Sequence, residues 1–209
     1  MKVRLGHALF YLMALCLFAG CGNADPVPLP DTPALSAGAE FSDIAGHPSE
    51  LYILVGLQRG LYGVPSDGKF LPDVPATQGE FISTLWNLAG RPGGNGAAAW
   101  ADAQNLLEGI SFSEDTPITR QDAMEILFRY NGSLSGMESM LTGIYDDAFL
   151  DSDQIPAGGK PALYWGFYNV LIRETEPDKI APSGTVSRGD MAEMMVRYMD
   201  DFQSGASDT

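Results

Sequence analysis

The sequence predicts a mainly α domain of three helix-loop-helix repeats, and three observations carry that prediction. A hydroxyl residue stands three places before a carboxylate at Thr77-Gln78-Gly79-Glu80, Thr119-Arg120-Gln121-Asp122 and Ser187-Arg188-Gly189-Asp190. Each tetrapeptide runs into apolar residues at spacings of three and four, the signature of a capped helix start. The interval from Thr77 to Gly90 equals that from Thr119 to Gly132, so the helices after the first two starts have equal length. A unit of two helices buries too little surface to stand alone, whereas three of them in 209 residues with 45% hydrophobic content build a core of ordinary size.

Residues 1–20 read as an export signal. Lys2 and Arg4 precede the apolar run from Ala8 to Phe18, and Ala19 and Gly20 supply small residues before a cut. The run is too short to span a bilayer comfortably. Leu17-Phe18-Ala19-Gly20-Cys21 resembles the lipobox of bacterial lipoproteins, with Phe18 where the usual leucine stands. The resemblance implies lipidation of Cys21 and a membrane anchor; an ordinary secretory cut would instead leave a free thiol. Cys16 lies within the signal, so no disulfide forms within one mature chain. The segment from Cys21 to residue 40, with Pro26, Pro28, Pro30 and Pro33, should be extended, either as a tether or as a leader of unselected length.

The first repeat covers residues 41–92. Phe41-Ser42-Asp43 precedes a helix expected over Glu50 to Gln58, followed by Gly60-Leu61-Tyr62-Gly63, a polar turn and Phe70-Leu71-Pro72-Asp73. The helix started at Thr77 puts Phe81, Leu85 and Leu88 on one face and ends near Gly90, with Pro92 barring continuation. In the second repeat, residues 97–132, Trp100-Ala101-Asp102 is expected to open a helix leading to Gly109, and the following motif is contracted to Ser111 through Pro117. An insertion at 133–148 is expected to hold an extra helix around Met137 to Ile144. The third repeat, 149–203, starts at Phe149-Leu150-Asp151, has its first helix over Ala162 to Phe167, and has Ile180-Ala181-Pro182 as a worn Phe-x-Pro. Residues 204–209 form a tail.

Phe-x-Asp, a helix, Gly-Leu-x-Gly, Phe-x-Pro-Asp, a Thr-x-x-Glu start and a second helix ending in glycine follow one another through residues 41–90. This order resembles the S-layer homology domain, a bacterial surface module usually found in threes, with Gln78 where the family commonly has arginine. The resemblance implies a pseudo-three-fold helical bundle with grooves between repeats. It also implies binding of secondary cell-wall polymer, often carrying a pyruvate ketal whose carboxylate is the anionic handle, at a cell-surface, wall or membrane-anchored location.

The caps at Thr77, Glu80, Thr119, Asp122, Ser187 and Asp190 serve the fold, since each hydroxyl can accept a bond from a backbone N–H one turn in. Arginine in a first helical turn opposes the helix dipole and needs another reason. A free helix N-terminus attracts anions and a guanidinium grips a carboxylate through two bonds, so Arg120 and Arg188 are the leading ligand-binding residues, against simple pairing with nearby acids. Gln78 occupies the corresponding place at the first corner. By the resemblance Asp43, Asp151 and Asp102 also meet ligand; each equally well caps a turn. Trp165 and Trp100 offer faces for a sugar ring or belong to the core, while Trp86 packs inside a helix. Gly63 fits a groove-forming turn or a left-handed backbone position.

Other chemistries are excluded in turn. A net charge of −15, made more acidic by loss of Lys2 and Arg4, disfavours nonspecific nucleic-acid binding. Asp146, Asp147, Asp151 and Asp153 lack the spacing and turn glycine of an EF-hand loop and read as a solvated acidic loop. After cleavage His47 is the only histidine, no Cys or His cluster suits zinc, and no glycine-rich phosphate loop opens a helix. No metal, no cofactor and no enzyme activity are expected. The alternative to glycan binding is an envelope scaffold whose worn repeats bind another protein.

Overall fold

The computed structural model describes residues 41–93, 95–132 and 137–202. They belong to the second of the two units into which the chain divides, Ser36–Thr209. The export segment, Cys21, the proline-rich stretch and the 204–209 tail lie outside the described residues. Within them the chain is mainly helical: α1 (Glu50–Gln58), α2 (Gln78–Leu88), α3 (Ala97–Ala103), α4 (Arg120–Asn131), α5 (Met137–Tyr145), α6 (Lys160–Tyr168) and α7 (Arg188–Phe202), with one 3₁₀ turn at Ser152–Gln154. Among the described residues, extended pairing is confined to isolated bridges.

The three capped starts form as the spacing predicts. Thr77 Oγ1 accepts from Glu80 N at 3.1 Å while Glu80 Oε2 accepts from Thr77 N at 3.0 Å, a complete capping box. Thr119 Oγ1 accepts from Asp122 N and Ser187 Oγ from Asp190 N, each at 3.0 Å. Helix α2 stops just before Gly90, whose φ of 79° only glycine adopts without strain.

The residues before these caps tie the chain into a closed ring. Ala76 N donates to Val186 O at 2.9 Å, Val186 N to Ile118 O at 3.1 Å, and Ile118 N to Ala76 O at 2.9 Å. The bridges Thr77–Pro117, Thr119–Thr185 and Ser187–Pro75 flank these bonds. All three ring residues are buried, so no water is at hand and the bonds must be made within the protein. Helix packing follows the same cycle: α3 lies on α2, α6 on α4 and α1 on α7. The main core gathers Phe81, Leu85, Met124, Leu127, Leu163, Trp165 and Met195 along the inner faces of these helices. A smaller cluster holds Phe41, Ile44, Ile53 and Phe70 under α1.

Two expectations for the middle of the chain are corrected. Trp100-Ala101-Asp102 does not open a helix but lies near the end of α3, because the alanines at 97–99 start the helix earlier. Leu106 N donates to Ala101 O as Leu61 N donates to Gly56 O and Leu171 N to Gly166 O. Asp102 therefore takes the place of Leu57 and Phe167, not of Asp43. The shortening also lies elsewhere than Ser111 to Pro117. Glu114 O accepts from Gly79 N, Pro72 O from Gly189 N and Pro182 O from Gln121 N, which makes Phe112-Ser113-Glu114 the counterpart of Phe70-Leu71-Pro72 and Ile180-Ala181-Pro182. The missing residues fall between Leu106 and Phe112.

The inserted helix α5 packs on α6, burying Leu141 and leaving Met140 and Ile144 exposed. Lys160 is bonded to Asp146, to which Tyr164 Oη also donates at 3.2 Å, so this half-exposed aspartate joins a polar cluster at the surface. Among the described residues no helix is long and apolar enough to cross a membrane.

Candidate functional site

The helix N-termini at the ring are not free, contrary to the anion-binding expectation. At each one the first two N–H groups donate to carbonyls of a neighbouring loop: Gln78 N to Thr116 O and Gly79 N to Glu114 O, Arg120 N to Gly184 O and Gln121 N to Pro182 O, Arg188 N to Val74 O and Gly189 N to Pro72 O. The third N–H is taken by the cap hydroxyl. An anion at these termini would meet side chains, not free backbone N–H groups.

Asp43 and Asp151 are clamps on their own loops. Asp43 accepts from Phe70 N and Leu71 N, both at 2.8 Å, and Asp151 from Ile180 N at 3.1 Å and Ala181 N at 2.8 Å. For Asp43, desolvation pushes the carboxyl pKa up, but the backbone donors and Lys69 outweigh it and hold it below the usual value. Each clamp secures a non-glycine residue in the left-handed region, Leu71 at φ 58° and Ala181 at φ 50°. Such a conformation persists only where its surroundings over-determine it. Both oxygens of each aspartate bond the backbone, so these residues shape the loops beside the helix starts. Asp102 is exposed on α3, away from any such clamp.

The residues Gln78, Arg120 and Arg188 occupy equivalent first-turn positions and differ in what they do. Gln78 is 4% exposed, and its Oε1 accepts from Ser113 N at 2.8 Å. Ser113 is the counterpart of Leu71 and Ala181, whose N–H groups are held by aspartates, and the second corner has no such aspartate. The glutamine carbonyl supplies the missing acceptor, which an arginine, having only donors, could not do. Replacing Gln78 with Arg should therefore strand the Ser113 N–H and lower stability by about 1–3 kcal/mol, while Gln78→Glu keeps an acceptor and costs less. Denaturant midpoints of the two variants check this.

Arg120 is a buried strap. Its Nε donates to Ile180 O at 2.8 Å and its Nη2 to Arg173 O. Burial lowers its pKa, opposed by Asp190 and Asp151. Around it lie Arg173, Glu174, Asp190 and Glu193, so its groove carries more acids than bases.

Arg188 differs. Its guanidinium lies 5.2 Å from the Phe70 ring centroid, its Nη1 donates to Glu80 Oε1 at 2.6 Å, and its Nε is buried with no protein acceptor. Beside it a cleft of about 150 Å³ is walled by Leu61, Tyr62, Gly63, Ser83, Thr84 and Asn87, with Glu80 the single acid. Asn87 Nδ2 donates to Leu61 O at 2.8 Å and Tyr62 Oη to Ile53 O at 2.9 Å, fixing the turn that carries Gly63. Gly63 is exposed and its φ is not left-handed; what its missing side chain leaves is open space at the cleft mouth.

Trp165 is not a sugar platform, because it is fully buried against Phe128, Tyr198 and Phe202. The sequence spacing had no means of naming Phe70 as the face under Arg188, since the two are brought together only by the ring. Among the described residues no group of three or more His, Cys, Asp or Glu side chains is placed to hold a metal ion.

Comparison with curated proteins returns no match for the chain. The family model of the S-layer homology domain matches residues 40–82, the stretch that contains Asp43, Gly63, Phe70, Gln78 and Glu80. Residues 40–82, which include the first corner, are thus similar to the S-layer homology domain.

Proposed function

We propose that the chain is a non-catalytic cell-envelope protein whose three corners are three S-layer homology repeats in a pseudo-three-fold bundle that binds cell-wall polymer. The match over residues 40–82 supports a wall-binding module. The observation that carries the reading is the Arg188 cleft: a cation over an aromatic face, paired through Nη1 with Glu80, the one acid of the lining, and keeping a buried Nε without a protein acceptor. A cleft of about 150 Å³ is smaller than pockets that engulf a drug-sized ligand, roughly 300–1,000 Å³. It suits one charged substituent, such as a ketal carboxylate, on a polymer lying along the surface. Lipidation at Cys21 after export would hold the protein at a membrane, and the wall polymer would link that membrane to the wall.

Binding rests unequally on the corners in this reading, because Gln78 and Arg120 are committed to neighbouring loops. Retention on purified cell walls should fall at least about tenfold in Arg188→Ala, the size expected for losing a charge-assisted contact. Walls stripped of pyruvylated polymer should retain the unmodified protein no better than that variant does. Retention unchanged by Arg188→Ala in a folded variant sinks the proposed site. A protein-binding scaffold is the second reading; the absence of a free cation at the first two corners favours it, and co-purification of a protein partner without wall retention would establish it.

A further inference from the structure

The chain holds two Asn-Gly pairs, Asn95-Gly96 and Asn131-Gly132, and the fold treats them oppositely. In such a pair the main-chain nitrogen of the glycine can attack the side-chain amide of the asparagine, because no Cβ shields that nitrogen. The attack needs a side chain free to turn, a peptide N–H able to lose its proton, and a backbone that brings the two together. Asn131 offers none of these. It is the last residue of α4, in helical backbone, and its Oδ1 accepts from Tyr198 Oη at 3.3 Å. Gly132 N donates to Arg129 O at 3.1 Å, which holds the proton in place.

Asn95 is the reverse case. It is exposed and lies outside any helix, between α2 and α3. Among the described residues neither its side chain nor the Gly96 N–H has a hydrogen-bond partner. Gly96, the residue before the first turn of α3, adopts φ 89° and ψ 169°, a conformation essentially confined to glycine. A Cβ built there would meet nothing within 4 Å, so a ring closing at this nitrogen has room. The entry to α3 therefore demands the same glycine that makes the preceding asparagine labile.

We propose that Asn95 is a self-modifying site, deamidated spontaneously in the folded protein while Asn131 is protected. Hydroxide takes the Gly96 N–H proton, the nitrogen bonds to Asn95 Cγ, the Cγ–Nδ2 bond breaks, and ammonia leaves with a proton from water. Water then opens the cyclic imide, at Cγ to leave aspartate or at the main-chain carbonyl to leave isoaspartate. Either product places a carboxylate in the groove that Asn95 lines with Pro92, Ala99, Trp100, Gln104 and Tyr130, a lining without a charged side chain. Isoaspartate also lengthens the main chain by one methylene just before α3. The surface beside Trp100 thus acquires negative charge as the protein ages, independently of the Arg188 cleft.

The test is peptide mapping of the full chain after incubation in mildly alkaline buffer made with H₂¹⁸O, since opening of the imide carries one labelled oxygen into the product. In the native protein Asn95 should convert at least about tenfold faster than Asn131, the factor expected when a hydrogen bond must first be broken. In denaturant both asparagines precede glycine in an open chain, and the two rates should converge. Asn95→Gln, an exposed change whose longer side chain cannot close the succinimide ring, should remove most of the label from the native chain. Native conversion at Asn95 no faster than at Asn131, a difference that persists in denaturant, or label retained in Asn95→Gln overturns the proposal.

Discussion

Trp165→Ala should cost about 3–5 kcal/mol, the range for removing a fully buried large aromatic side chain. The indole is completely enclosed, with Phe128 at 5.6 Å, Phe202 at 5.5 Å and Tyr198 at 6.4 Å between ring centroids. Phe128 belongs to α4, Trp165 to α6 and the other two to α7, so one side chain joins three helices. Domains of this size commonly have about 5–15 kcal/mol in total, and the variant should be close to unfolding at ordinary temperature. Trp165→Phe keeps most of the packing and should lose clearly less. Denaturant melts of both variants, with wall retention normalised to folded protein, separate a packing role from a ligand role. A folded Trp165→Ala variant that loses wall binding would contradict the burial argument.

Periodicity disclosed the helices because it acts within one turn of chain. The starts at Thr77, Thr119 and Ser187 need only a hydroxyl and an N–H three residues on, and all three caps are present in the fold. The roles of the first-turn residues were not legible in the same way. Whether Arg120 meets a ligand depends on Ile180 O and Arg173 O, contributed from far along the chain. The burial of Trp165 depends likewise on α4 and α7, and an indole on a short helix carries no local mark of which side will be covered. Motif alignment misplaced Asp102 for a further reason: a three-letter pattern recurs by chance, whereas the carbonyl that Leu106 N meets does not. Gln78 is the instructive case. Its departure from arginine and the missing aspartate of the second corner are separate gaps in the sequence, and in the structure one fills the other.

The largest coupled effect should come from Arg120 and Asp151, which hold the same peptide from opposite sides. Asp151 accepts from Ile180 N and Ala181 N, while Arg120 Nε donates to Ile180 O. Both side chains are nearly buried, at 5% and 8% exposure, so water cannot readily replace either. Asp151→Ala strands two backbone donors and should cost about 2–5 kcal/mol. Arg120→Ala leaves two carbonyls short of a donor, removes the packing of its stem and should cost about 2–3 kcal/mol. Each loss releases the strained Ala181 turn, so the second substitution has less left to disturb. The double variant should then be more stable than the sum of the singles predicts, by about 1 kcal/mol or more. Additivity within about 0.5 kcal/mol would show that the two residues act on independent parts of the loop. Groove access gives a second readout: with the strap gone the 170–175 segment is no longer tied to α4, and hydrogen exchange of its amides should rise in Arg120→Ala well before global unfolding.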